Sequence, residues 1–282
     1  KIDLKRNFKR NNKETKIKAI LIENGFNEVI NDSFASDCND LSLKVDNPLD
    51  SNRGYLRTSL KNSLIKNLLY NERRQKDIVK LFEISDVYFS GPNDKKRLLG
   101  IIASGRIDYN FKDFQKKISE KYLANIINNH ISTNKILNYE IIPRDNLSSK
   151  SKDPIIYIEI EINSSLKVDY ELNKNKKNKK SFKYFPISEF PSSNRDLSFS
   201  IKEFKNSIVL QDYLLNYKNK LIRNIFIFDY FYNKKSQEIK IAFRLVFQDI
   251  NQTITEVQIK NVMNDIIEHT TKIEGVSIPG LN

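Results

Sequence analysis

Five short stretches near the end of the chain decide its fold. They are Phe190-Pro191, Arg195-Asp196-Leu197, Ile227-Phe228-Asp229, Phe247-Gln248-Asp249 and Thr253-Ile254-Thr255. With the periodicity around them, they predict a small β-α-β-β-α-β domain. In such a domain both helices cover one face of the sheet, and we expect the other face to be uncovered.

Alternating side chains along the predicted strands support this outline. In the third strand, apolar residues fill every second position from Ile239 to Phe247, while Arg244 and Gln248 point to the opposite face. A helix is predicted over Ser207–Lys218, and Thr255 is a suitable N-cap for the second helix. The sheet is therefore predicted to have one buried face and one solvent-exposed face.

The part of the chain before this domain is predicted to mix helices and strands, mostly in an antiparallel sheet. Predicted strands are Phe26–Phe34, Leu41–Val45, Val79–Phe89, Leu98–Ser104, Tyr139–Ile142 and Ile155–Ile162, and predicted helices are Glu14–Asn24, one capped by Thr58 or Ser59, and Phe111–Asn128. Gly25 suits the left-handed position after the first helix.

One apolar stripe in this part has two interpretations. The helix after Ser59 carries apolar residues at helical spacing, namely Leu60, Leu64, Ile65, Leu68 and Leu69. Such a stripe usually packs into the core of its own domain, and that interpretation is favoured. The alternative is a subunit interface formed by Leu60, Leu64 and Leu68.

Length and charge limit the possibilities further. At 282 residues, the chain suits two domains that each bury a core. The net charge of +13 is consistent with a nucleic-acid partner, but the abundance of Lys, Asn and Ile is equally consistent with a general compositional bias.

We predict domains at 1–165 and 184–282, joined by a basic linker at 166–183. The run Lys174–Lys180 fits a solvated spacer better than an RNA-binding tail, because no aromatic residue interrupts its lysines.

The single cysteine and the lack of long apolar runs indicate a reduced, cytoplasmic setting. Cys38 has no partner for an intrachain disulfide and lies in a polar stretch, and no apolar run is long enough to span a bilayer. The chain begins with a basic, Asn-rich segment at Lys1 instead of Met, so we expect it to be cut from a longer polypeptide.

The motifs at the end of the chain resemble the ferredoxin-fold anticodon-binding domain of bacterial phenylalanine–tRNA ligase beta subunits. The matching motifs are Ser188-Glu189-Phe190-Pro191, Arg195-Asp196, Phe228-Asp229, Phe247-Gln248-Asp249 and Thr253-Ile254-Thr255. The first part is similar to the non-catalytic, class II synthetase-like core of the same subunit, through Gly25 to Ile30, Asn47-Pro48, Leu56 to Leu60 and Leu81 to Ile84. The resemblance covers residues 14 to 280.

The resemblance implies a role without catalysis in this chain. It implies an alpha subunit that consumes ATP with magnesium and charges tRNA(Phe), in an alpha2beta2 heterotetramer, while this chain holds the partner and the tRNA. We expect no cofactor or metal on the chain itself. A free-standing RNA-binding protein and a self-sufficient enzyme are the alternatives.

Five residues are predicted to contact the tRNA anticodon. We expect Phe228 to stack on a base, Arg195 and Arg244 to meet phosphate or base, and Asp196 or Gln248 to form hydrogen bonds. Strand parity places Phe226, Phe228 and Tyr230 on the uncovered face. A slip of one residue would move them into the core.

Catalytic motifs are missing from the sequence. No Arg-x-Glu occurs among the 282 residues and the seven glycines never form Gly-x-Gly, so the phosphate-gripping groups of a class II synthetase are absent. His130 and His269 lie far apart in sequence and beside no acidic cluster, which argues against a metal site or a catalytic triad.

Overall fold

The chain is divided into two units that interleave in sequence. The first comprises residues 1–105 and 117–179, and the second comprises residues 106–116 and 180–282. The computed structural model describes residues 4–36, 41–90, 94–132, 139–171 and 186–280, with side chains from residue 13 onward. Cys38 and most of the predicted linker lie outside these ranges.

The first unit is built on a five-stranded sheet with the order β1-β4-β5-β8-β7. Its strands are β1 (Asn27–Glu28), β4 (Ile78–Tyr88), β5 (Lys95–Gly105), β8 (Ile155–Glu161) and β7 (Glu140–Ile142). The pairing of β1 with β4 is parallel and the other pairings are antiparallel. This largely antiparallel sheet agrees with the expectation for the first domain.

Three helices and two small strand pairs complete the first unit. The helices are α1 (Leu4–Glu23), α2 (Lys61–Arg73) and α3 (Glu120–Asn128), and the strand pairs are β2 (Phe34–Ala35) with β3 (Tyr55–Leu56) and β6 (Ile131–Ser132) with β9 (Lys167–Val168). A short 3-10 helix spans Ser51–Arg53. As predicted, Gly25 follows the first helix with a positive φ of 80°.

The helix α2 uses its leucine stripe inside the first unit. Leu60, Leu64 and Leu68 are each 0% exposed and pack in one cluster with residues of β4, β5 and β8. Gly100 of β5 permits this close packing, because a Cβ atom there would lie 2.8 Å from Leu64 Cδ1. The core interpretation of the stripe is therefore the one that the structure shows. These three side chains offer no surface to another subunit, so the interface alternative is wrong for them.

Several predicted elements of the first unit are shorter than expected. The strand predicted from residue 26 to residue 34 is reduced to Asn27–Glu28, because Asn31 turns its side chain to Glu83 and donates a 2.8 Å hydrogen bond. No strand forms over residues 41–45, where only Lys44 makes an isolated bridge to Tyr55. The helix predicted from residue 111 begins only at Glu120.

Side-chain capping explains that late start. Asn110 Oδ1 accepts hydrogen bonds from the backbone N–H groups of Lys112 and Asp113 and holds them in a turn. Ser119 Oγ then accepts from the N–H of Tyr122 and caps α3. Short polar side chains compete with the helix for backbone groups in this way.

The second unit has the predicted ferredoxin-like topology. Its strands are β10 (Ser193–Ile201), β11 (Ile222–Asn233), β12 (Glu238–Phe247) and β13 (Val276–Ser277), and its helices are α4 (Phe204–Asn216) and α5 (Glu256–Thr271). The sheet order is β11-β12-β10-β13, and all its pairings are antiparallel. The fold class predicted from the sequence is confirmed.

The core of the second unit lies between this sheet and the two helices. It contains alternate residues of β10 and β12 and the inner faces of the helices, namely Leu197, Phe199, Ile201, Leu210, Leu214, Ile239, Ile241, Phe243, Leu245, Phe247, Ile259, Val262, Ile266, Val276 and Ile278. Thr255 caps α5 in a reciprocal capping box with Gln258. Among the described residues of this unit, no helix lies on the remaining sheet face.

Candidate nucleic-acid interface

The sheet face opposite the helices of the second unit is the candidate interface. We call it the helix-free face, and it carries Asn194, Asp196, Ser198 and Ser200 of β10, Phe226, Phe228, Asp229 and Phe231 of β11, and Lys240, Arg244 and Val246 of β12. These residues alternate with the core residues of the same strands, so their side chains point away from the helices.

A β-bulge at Phe228 divides this face. Ile227 pairs with Phe243, but the next paired residue of β11 is Asp229, which pairs with Ala242. Phe228 is thus an extra residue, and side chains beyond it change sides. Tyr230 pairs with Ile241 and packs against the helix-side core, so its predicted place beside Phe228 is wrong.

An aromatic segment formed by residues 106–116 covers one half of the helix-free face. The ring of Phe114 lies 5.7 Å from that of Phe226 and 5.4 Å from that of Phe228, measured between centroids. Tyr109 adds a contact of 5.2 Å with Phe226. Phe114 is 2% exposed and Phe226 is 8% exposed. The expectation of a fully uncovered face is therefore wrong for this half.

Arg244 and Asp196 form an ion pair on the covered half. The guanidinium Nε and Nη2 donate to the two carboxylate oxygens at 2.8 and 2.7 Å, a bidentate geometry. The same guanidinium lies 5.0 Å from the centroid of the Phe114 ring and 5.1 Å from that of Phe228. Three of the five residues predicted to contact tRNA are thus close together, namely Phe228, Arg244 and Asp196. Their side chains interact with one another within the protein.

The two other predicted contacts lie apart from this cluster. Arg195 points to the helix side of the sheet and donates two 2.6 Å hydrogen bonds to Glu256, the first residue of α5. Gln248 donates through Nε2 to the carbonyl oxygen of Phe190 at 2.7 Å. Contact of any of the five residues with RNA stays a prediction.

The other half of the helix-free face is open and carries Phe231, Asp229, Lys240 and Ser198. Phe231 is 56% exposed and pairs across the strands with Lys240, which is also exposed. Asp229 lies two residues before Phe231 on the same side and is exposed. The group combines an aromatic ring, a cation and a hydrogen-bond acceptor. Sequence reasoning missed Phe231 because regular alternation from Ile227 places it in the core, and only the bulge turns it outward.

A cavity of about 470 Å³ in the first unit is a less suitable site. Three of its lining residues are engaged in hydrogen bonds: Arg144 donates to both carboxylate oxygens of Glu72 and to Ser104 Oγ, and Ser149 Oγ donates to Glu72. Arg73 donates to Ser148 Oγ. This arrangement stabilises the loop after β7 and leaves these groups engaged within the protein.

Both histidines have ordinary structural surroundings. His130 is close to the backbone oxygen of Asp169, and His269 stacks on Tyr213 and lies 3.6 Å from Asp265. Within the described ranges, no group of three or more His, Cys, Asp or Glu is placed to hold a metal ion. Over the same parts of the chain, no helix has the length and apolarity needed to cross a bilayer.

Two protein families match the two units. The ferredoxin-fold anticodon binding domain matches residues 188–278. The phenylalanyl tRNA synthetase beta chain CLM domain matches residues 2–150, which is more than half of the chain. The chain belongs to the phenylalanyl-tRNA synthetase beta chain family. The resemblance inferred from the sequence motifs is thereby confirmed.

Relatives of this synthetase beta chain family show the same match along almost the whole chain. The phenylalanine–tRNA ligase beta subunit of Fusobacterium nucleatum is 30% identical over 89% of this chain and 36% of its own length. Those of Clostridium acetobutylicum and Dehalococcoides mccartyi are 23% and 26% identical, over 92% and 89% of this chain and 36% and 35% of their own lengths. The chain thus spans just over a third of the length of these relatives. Among solved structures, a pyrrolysyl tRNA synthetase from Desulfitobacterium hafniense covers 56% of this chain and 69% of its own, with 12% identity and a TM-score of 0.37.

Proposed function

We propose that this chain is the tRNA-holding part of a phenylalanine–tRNA ligase beta subunit and that it binds the anticodon loop of tRNA(Phe) on the open half of the helix-free face. The observation that carries the proposal is the exposed Phe231 ring, which has Lys240 as its cross-strand neighbour and Asp229 two residues before it on the same face. Single-stranded bases stack on aromatic rings, while cations bind the backbone and polar side chains read base edges.

The chemistry belongs to a partner in this proposal. The sequence has no Arg-x-Glu and no Gly-x-Gly, so it lacks the groups that grip ATP in a class II synthetase. An alpha subunit, using ATP and magnesium, is proposed to form phenylalanyl-adenylate and charge the tRNA. The proposed assembly is an alpha2beta2 heterotetramer in the cytoplasm.

The RNA-binding part of the proposal is tested by substituting Phe231. A stacked base contributes about 1 to 3 kcal/mol, so Phe231→Ala should raise the Kd for tRNA(Phe) about 5- to 150-fold in fluorescence anisotropy. Tyr232→Ala is the matched control, because Tyr232 is similarly exposed at 47% but lies on the helix side, opposite Ile239. Equal effects of the two substitutions, or none, would refute the proposed site.

The division of labour is tested with the chain alone and with its partner. We expect no phenylalanine-dependent ATP–diphosphate exchange from the purified chain, and exchange once an alpha subunit is added. A stable complex with the alpha subunit in co-purification would separate this proposal from the free-standing RNA-binding alternative. Exchange by the chain alone would support the self-sufficient enzyme instead.

A further inference from the structure

The bulge at Phe228 decides which aromatic residue the helix-free face presents. With the extra residue, Phe231 pairs with Lys240 and points outward. In a regular strand continuing from the Ile227–Phe243 pair, Tyr230 would lie opposite Lys240 and Phe231 would lie opposite the buried Ile239. Anything that holds Phe228 out of the regular ladder therefore sets the position of Phe231.

Phe114 packs directly against the bulged residue, while Phe111 of the same segment lies 5.6 Å from Tyr230, two residues beyond it, measured between ring centroids. The Phe114 ring contacts that of Phe228 at 5.4 Å with an interplanar angle of 55°, and the guanidinium of Arg244 lies within 5.1 Å of both rings. A bulged residue is unpaired in the ladder, so its side-chain packing fixes its position. Phe114 is the buried centre of this packing.

The aromatic segment is itself well fixed. The backbone N–H of Phe114 donates to Asn110 O at 2.8 Å, and that of Ile107 donates to Lys116 O at 3.1 Å. Arg106 donates through Nη1 to Phe114 O at 2.7 Å, and its guanidinium lies 4.1 Å from the ring centroid. Phe114 is therefore presented to the bulge from a closed turn.

We propose that Phe114 is a positioning residue for RNA binding: it holds Phe228 in the bulge and so turns Phe231 and Asp229 to the open half of the helix-free face. The inference rests on the proposed function for its effect on RNA. The effect of Phe114 on the β11 strand is inferred only from the pairing register of β11 with β12. In the sequence, Phe114 lies between β5 and α3, far from the residues of β11 that it positions.

A double-mutant cycle on the full chain tests this proposal. We expect Phe114→Ala to raise the Kd for tRNA(Phe) at least fivefold in the wild-type background and less than twofold in the Phe231→Ala background, because the second substitution removes the ring that Phe114 positions. Phe114→Leu keeps most of the packing and should restore most of the affinity. Tyr109→Ala is the control from the same segment, since Tyr109 contacts Phe226 ahead of the bulge, and it should change Kd less than twofold.

Backbone hydrogen exchange of residues 228–232 gives the readout that is independent of RNA. Phe114→Ala should speed exchange there and leave β10 unchanged, and Phe114→Leu, which is expected to fold, should show the same change more weakly. Equal loss of affinity from Phe114→Ala in both backgrounds, or unchanged exchange in both Phe114 variants, would overturn the proposal. If Phe231→Ala alone leaves Kd unchanged, the proposed function fails at this site, and the exchange data still decide the role of Phe114.

Discussion

At the scale of single residues, the first unit contains a buried ion pair with little tolerance for change. Arg57 is 4% exposed and Glu83 is 1% exposed, and Nη2 donates to the carboxylate at 2.7 Å. Asn31 donates to the same carboxylate through its backbone and side chain. Nε and Nη1 of Arg57 are buried, and neither has a hydrogen-bond partner within the part of the chain that the structure describes. Such a pair is costly to break, because the remaining charge stays buried.

Removal of one partner of this pair should destabilise the first unit strongly. We expect Arg57→Met to lower the free energy of unfolding by about 3 to 5 kcal/mol, because Glu83 is left uncompensated. Urea unfolding measures the loss. Arg53→Met is the control, since the Arg53 side chain is 41% exposed and lies 3.6 Å from Asp32, and it should cost at most about 1 kcal/mol. A double substitution Arg57→Met with Glu83→Leu that is no more stable than Arg57→Met would contradict this account.

Tyr217 gives the second unit a pH dependence in the alkaline range. Burial, followed by a 2.6 Å hydrogen bond from its hydroxyl to Asp265, raises the pKa of Tyr217 to about 12. Below about pH 10 both the folded and the unfolded chain keep the proton, so this stabilisation is complete. Between about pH 10 and pH 12 only the unfolded chain loses it, so the free energy of unfolding falls as pH rises.

Substitution of the hydroxyl tests this pH dependence. We expect Tyr217→Phe to flatten the fall in stability between pH 10 and pH 12, measured by denaturant unfolding at a series of pH values. Tyr232→Phe serves as the control, because the exposed Tyr232 has no comparable carboxylate bond among the described contacts, and should leave the slope unchanged. Identical slopes for Tyr217→Phe and the unsubstituted chain would show that this tyrosine is not responsible.

Residue roles were harder to predict from the sequence than the strands that carry them. Alternation along β12 correctly indicated that Phe243 is buried and that Arg244 points to the other face. In β11 alternation failed beyond Phe228, because one inserted residue reverses the pattern without a signature in the side chains. The partners of Phe228 could not be predicted either, since they come from residues 106–116, remote in sequence.

At the scale of elements, the packing of α2 on β5 depends on a residue without a side chain. A Cβ atom at Gly100 would lie 2.8 Å from Leu64 Cδ1 and 3.0 Å from Leu60 Cβ. Real Cβ atoms do not approach other atoms as closely as 2.8 Å, so the Leu64 side chain, the helix or the strand would have to shift. Gly100 therefore sets the spacing between the two elements.

Added bulk at Gly100 should weaken that packing. We expect Gly100→Ala to lower the free energy of unfolding by about 1 to 3 kcal/mol through overpacking. Gly54→Ala is a suitable control, because its new Cβ would meet the nearest atom, Ser51 O, at an ordinary 3.7 Å. Thermal unfolding of both variants measures the difference. A Gly100→Ala chain as stable as Gly54→Ala would show that the helix can move aside without cost.

Element existence was predicted well where periodicity and caps agree. The helix after Thr255 begins there with its capping box, and both long central strands of the first unit form where their apolar runs lie. Expectations failed where apolar residues occur without pairing partners, as at Ile30, which is 92% exposed. Whether a short apolar run becomes a strand depends on a neighbouring strand, which the local sequence does not reveal.

At the scale of the whole molecule, most of the positive charge lies in two stretches of the sequence, residues 1–13 and 172–185. Residues 1–13 contribute +5 and residues 172–185 contribute +6 to the total of +13, whereas residues 14–171 and 186–280 contribute only +1 each. Residues 14–171 and residues 186–280 are thus each close to neutral. Any long-range attraction to RNA should come from the two basic stretches.

Charge removal from the run Lys174–Lys180 should therefore act without regard to RNA sequence. We expect replacement of its five lysines by glutamine to raise the Kd for tRNA(Phe) and for an unrelated tRNA by the same factor, because phosphate attraction carries no base information. Anisotropy titrations at several salt concentrations measure both values. The control is Phe231→Ala, which should change their ratio. A selective loss of tRNA(Phe) binding from the lysine variant would contradict this expectation.

The discontinuous sequence of the second unit restricts how it can be exchanged between proteins. A gene fragment that encodes only residues 186–280 would supply the four strands and two helices but not Phe114, and the rings of Phe226 and Phe228 would meet water. Recombination that joins this fragment to a foreign partner would carry β11 without the aromatic segment that packs on it. Chimeras that fold should therefore contain both residues 106–116 and the C-terminal fragment from the same parent protein.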